Sequence, residues 1–199
     1  MDKGDFELST TESTPAGEEV FNNYAPKGNE ELLNGYGFCI PDNPCDEVAL
    51  RIGKPPNVVF ASLGAQYPER FSSGEWTDEA AMFFIRGSGH YSGGYGHTGD
   101  DNTHLRGVPP ELLGTIRAIL DYSYKQQGEQ LADEHLGPAA VDAILERLIG
   151  KYNGIRQWDE QLPTEPANDK QRFAKMYRDG QLEILAEVIG ELQEYLEQF

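Results

Sequence analysis

Apolar residues at helical spacing dominate the second half of the chain. In PPELLGTIRAILDYSYKQQGEQ, Leu112, Leu113, Ile116, Ile119 and Leu120 recur on one helix face, behind prolines suited to a helix start. GPAAVDAILERLIGKYNGIRQW repeats the pattern with Val141, Ile144, Leu145, Leu148 and Ile149. PTEPAND then breaks it with its prolines. The last segment, DKQRFAKMYRDGQLEILAEVIGELQEYLEQF, carries the longest stripe, through Leu182, Leu185, Val188, Ile189, Leu192 and Leu196. Gly180 and Gly190 interrupt it and are points where it could bend. The spacing predicts a small helical bundle over 109–199.

The first part has a different texture. Residues 5–24 read as two short strands around a turn, with Pro15-Ala16-Gly17 supplying the turn chemistry. Asn29 is placed to cap a helix that starts at Glu30 and Glu31, where acidic side chains meet the positive helix end. Leu32, Leu33 and Tyr36 give that helix one apolar face, and Gly35 and Gly37 stop it. After the turn-rich IPDNPCDE, VALRI reads as a strand. VVFASLGAQY and EAAMFFIR are apolar, and periodicity leaves open whether they are helix or strand. Residues 86–107, RGSGHYSGGYGHTGDDNTHLRG, form a Gly-rich loop, long for a compact domain. The chain is thus read as α+β: a short β-rich portion over 1–56, a connecting region over 57–108, and a mainly helical domain over 109–199.

Length and composition narrow the functional classes. A chain of 199 residues should bury roughly 70% of the surface its unfolded form exposes. Its net charge of -18 argues against nucleic acid, whose phosphates call for clustered Lys and Arg. The same charge is compatible with attraction to a basic partner such as a lysine-rich peptide, and also with solubility alone. Cys39 and Cys45 are too few for a disulfide framework or a zinc site, so reduced thiols in cytoplasm or nucleus are expected. No apolar stretch approaches the roughly 20 residues of a membrane span. His90, His97 and His104 recur in the Gly-rich loop but have no scaffold there to fix them around a metal, and a solvated loop is the expectation. RGSGHYSGGYG lacks the Gly-Lys-Ser/Thr ending of a phosphate loop.

One stretch carries a resemblance. GEEVFNNYAPKGNEELLNGYGF contains a Gly-Glu turn leading to Tyr24, an Asn-Glu-Glu-Leu-Leu helix, and then Tyr36-Gly37-Phe38, in that order. It resembles the C-terminal segment of a SET domain, in the branch that includes the Rubisco large-subunit lysine methyltransferase. IPDNPCDEVALRIG resembles that family's continuation, and 109–199 is loosely similar to its helical substrate-binding domain. The resemblance implies methyl transfer from S-adenosylmethionine to a lysine of a protein substrate. In family terms Tyr36 matches the catalytic tyrosine at the methyl-transfer point. Tyr24 matches the aromatic that closes the channel near the cofactor, and Phe38 an aromatic beside the cofactor pocket. The family's Asn-His-Ser segment and its earlier Gly-rich turn, which cradle the cofactor, do not occur in these residues. A truncated member that is inactive alone is therefore expected; the alternative is a non-catalytic module that binds a basic protein segment.

Overall fold

A computed structural model describes residues 13–19, 26–71, 74–87 and 105–199. Its elements run in the order α1 (Asn29–Tyr36), β1 (Val48–Arg51), α2 (Asn57–Gln66), α3 (Asp78–Ala81), β2 (Met82–Ile85), α4 (Pro110–Gln126), α5 (Asp133–Asp159) and α6 (Asp169–Leu196). The mainly helical α+β class is therefore as expected.

The two strands pair antiparallel, Val48 opposite Ile85 and Leu50 opposite Phe83. All four of these side chains are buried, whereas Arg51 and Phe84 face outward, the alternation that a pleated strand imposes. VALRI is a strand as expected. EAAMFFIR splits into both types. Thr77 accepts a hydrogen bond from Ala80 N at 3.1 Å and so caps the single turn of α3, after which MFFI extends into β2. VVFASLGAQY becomes α2 behind Pro56, burying Val59 and Leu63.

The bundle follows the expected stripes. Leu112 and Ile116 of α4, Val141, Ile144 and Leu148 of α5, and Leu185, Val188 and Leu192 of α6 join the inward strand residues in one core. Helix α5 begins at Asp133, ahead of the Gly-Pro pair that opened the sequence pattern, and carries Pro138 inside. Leu136, buried on the same face as Ala140, makes the extra turn worthwhile despite the hydrogen bond that proline removes.

The Pro15-Ala16-Gly17 turn is present, closed by Glu18 N donating to Pro15 O at 3.2 Å, with Gly17 at φ +96°. The strands expected around it lie largely outside the described residues. So do most of the Gly-rich loop and all three of its histidines. The loop's ends meet, since Arg86 N donates to Gly107 O at 3.1 Å. Among the described residues no helix is long and apolar enough to cross a membrane.

Candidate functional site

The corner built by α1, the 37–47 segment and α6 holds most of the buried polar chemistry among the described residues. Asn29 is not the helix cap that local pattern suggested. Gly28 is the N-cap, and Asn29 is the first helical residue, only 2% exposed and without a capping bond. Its side chain behaves as a peptide group would: Oδ1 accepts from Ile40 N at 2.8 Å while Nδ2 donates to Ile40 O at 2.9 Å. Nδ2 also donates to Asp46 Oδ2 at 2.7 Å. The capping falls to Asp46, whose Oδ1 accepts from Asn29 N. A carboxylate there answers both the unpaired helical N–H and the positive helix end. Asn43 completes the knot, donating to Lys27 O at 2.9 Å and accepting from Cys45 N at 3.0 Å. The packing is close enough that a Cβ on Gly28 would lie 3.0 Å from Cys45 O.

This knot is held against α6. Asp46 Oδ2 lies 3.3 Å from where a Cβ on Gly180 would stand, so a residue that interrupts the stripe marks a close approach. Gln181, which is buried, donates to Glu47 O at 2.8 Å. Tyr177 donates its phenolic proton to Glu30 Oε2 at 3.1 Å. Burial first, and the neighbouring Glu30 carboxylate second, hold that phenol well above its usual range. Cys39 donates to Phe173 O at 3.4 Å, and burial, aided by Asp46, raises its thiol above the ordinary value. Both groups are therefore neutral donors near neutral pH rather than nucleophiles.

At the far end of α1 stands Tyr36, 49% exposed. Gly37 follows at φ +79°, its N–H bonded to Leu32 O and Leu33 O, and this left-handed residue turns the chain so that Phe38 comes back beside Tyr36. Their ring centroids lie 6.3 Å apart at 52°. The structure thus brings Tyr36 and Phe38 together at a surface, whereas Tyr24 lies outside the described residues. Asn29, Asn43 and Asp46 hold one another and the backbone.

A groove of about 490 Å³ opens between the 40–44 segment and the first half of α6. Ile40, Pro41, Pro44 and Met176 give it apolar walls, and Asp42, Asp179 and Glu183 stand along it. Sequence reasoning missed the groove, Asp46 and Gln181, and read Gly180 as a point of bending, not of close approach to Asp46. A turn-rich segment with a carboxylate, placed shortly before a strand, was the only signal for Asp46.

Two curated relatives match the chain. Ribosomal lysine N-methyltransferase 1 of Saccharomyces cerevisiae is 58% identical over 185 residues, covering 88% of this chain and 31% of the relative. Ribosomal lysine N-methyltransferase set10 of Schizosaccharomyces pombe is 28% identical over 204 aligned residues, covering all of this chain and 35% of the relative. The chain spans about a third of the length of these relatives. No family model matches it, and no solved structure does. The chain is thus related to protein-lysine methyltransferases.

Proposed function

We propose that this chain works in protein-lysine methylation, supplying the tyrosine side of a SET-type lysine channel and a helical surface that docks a ribosomal protein. The carrying observation is the 58% identity to ribosomal lysine N-methyltransferase 1 over 88% of the chain. The motif that ends in Tyr36 and Phe38 adds the chemistry.

A lysine amine has an ordinary pKa of about 10.4, so roughly one in a few thousand is neutral at pH 7. Methylation therefore needs a neutral amine, held in line and stripped of water. Two aromatic rings and a phenolic oxygen at a channel wall meet that need without a strong general base. Tyr36 is the residue we assign to orient the amine. Tyr24 and Phe38 are assigned to the aromatic surround on the cofactor side. S-adenosylmethionine is the methyl donor that the relatives imply, and the described residues of this corner are not assigned as its cradle.

The test is made in the cell. Tyr36→Phe is introduced into the gene that encodes this chain, and ribosomal proteins are examined by intact-mass spectrometry. The expected result is loss of lysine methyl groups from at least one ribosomal protein, with the amount of the edited protein unchanged. Unaltered methylation would overturn the reading. Calorimetry of the purified chain with S-adenosylmethionine is expected to show no micromolar binding.

A further inference from the structure

We propose that the groove between the 40–44 segment and α6 docks an extended, lysine- or arginine-bearing peptide; the inference rests on the methyltransferase reading and names the surface that receives the substrate. Ile40 is 45% exposed on its wall, a large aliphatic side chain facing open space. With Pro41, Pro44 and Met176 it offers apolar surface to the methylene stem of a long basic side chain. The charges point the same way. Both cations of the lining are already matched, Arg172 with Asp169 at 3.2 Å and Lys175 with Asp179 at 2.9 Å. Asp42 and Glu183 make no ion pair among the described residues, so the groove presents net negative charge.

Glu187 follows Glu183 at four-residue spacing along α6. Such neighbours stand about 6 Å apart. Alternate side chains of an extended peptide stand about 7 Å apart, close enough for successive basic residues to face successive carboxylates. A nucleic acid, or a second copy of a chain carrying a net charge of -18, would meet like charge instead.

Fluorescence anisotropy with a labelled peptide of alternating lysine and alanine tests this on the whole chain. The peptide is expected to bind, to weaken as salt is raised, and to be lost when glutamate replaces its lysines. Asp42→Asn combined with Glu183→Lys should weaken binding about tenfold. Glu146→Lys, a reversal on the exposed face of α5, should change it less than about twofold. Hydrogen exchange of the unmodified chain should slow within 40–46 and 172–184 when the peptide is present. Equal weakening by Glu146→Lys, binding of the glutamate peptide, or protection elsewhere would overturn the proposal. A dimer in sedimentation velocity that disappears in the double variant would also overturn it, by seating a second copy in the groove. Peptide binding is read on the chain with Tyr36 unchanged, separately from the methylation assay. Loss of the methylation reading with peptide binding retained, or the reverse, therefore tells the two apart.

Discussion

Asp46 accepts from two buried donors, the Asn29 backbone N–H and the Asn29 side-chain amide. Asp46→Ala should cost about 2–4 kcal/mol, because it takes the partner from the backbone N–H and from one of the two N–H groups of the Asn29 amide. Asp46→Asn keeps one acceptor oxygen and should cost less. Urea denaturation of the two variants checks the order; equal costs would mean that the carboxylate's charge and second acceptor, not its shape, matter there. Tyr177 gives a pH signature. Its phenol holds its proton more tightly folded than unfolded, so above the usual value of 10.0 the unfolded chain carries fewer protons and stability falls as pH rises. Tyr177→Phe should lose about 1 kcal/mol at pH 7 with the Glu30 hydrogen bond, and should show a shallower decline above pH 10. Denaturation midpoints measured across that range decide it. Asn29 shows why residue roles are hard to foresee. Its position before two glutamates is a sound local cap signal, but a carboxylate 17 residues away took the role, and the amide was freed to pair with Ile40.

Between elements, the contact of α2 with α4 depends on one small residue. A Cβ on Gly114 would lie 2.1 Å from Tyr67 Oη and 2.8 Å from Cζ, so the α4 backbone is where the Tyr67 ring needs space. The phenol donates to Pro110 O at 3.4 Å, and burial raises its pKa. Gly114→Ala should therefore destabilise by about 1–3 kcal/mol, although alanine is the better helix former. Adding Tyr67→Leu should recover part of that loss, and the two changes should be non-additive in a double-mutant cycle. An additive pair would show that the ring already has room to move. Helices α4, α5 and α6 were legible because their periodicity is local and repeated over several turns. The split of EAAMFFIR into α3 and β2 was not, because its length and apolarity suit both types. Only the Thr77 cap and the pairing of Met82–Ile85 with β1 separate them.

For the molecule as a whole, the excess of acid sets a measurable trend. At a net charge of -18 the folded chain repels itself more strongly than the expanded one. Raising salt from about 0.01 M to 0.15 M shortens the screening length from about 30 Å to 8 Å and should raise the thermal midpoint. A falling midpoint would show that local pairs such as Arg86–Glu47 and Arg178–Asp159, both at 3.0 Å and partly buried, outweigh the repulsion. The Arg86–Glu47 pair also joins the approach to β1 with the exit from β2, next to Gln181 on α6. Strand pairing, bundle and polar corner therefore share one junction.

By itself the sequence determined the helical half, the VALRI strand, the Gly37 stop and the tyrosine motif, because each depends on residues close together along the chain. Tertiary structure alone decided what Asn29 bonds to, why Gly28, Gly114 and Gly180 carry no side chain, and that Ile40 faces a groove on α6. The physical reason is range. Periodicity, turn chemistry and backbone conformation act over a few residues, whereas a buried carboxylate or a close helix crossing is satisfied by whatever the fold brings alongside.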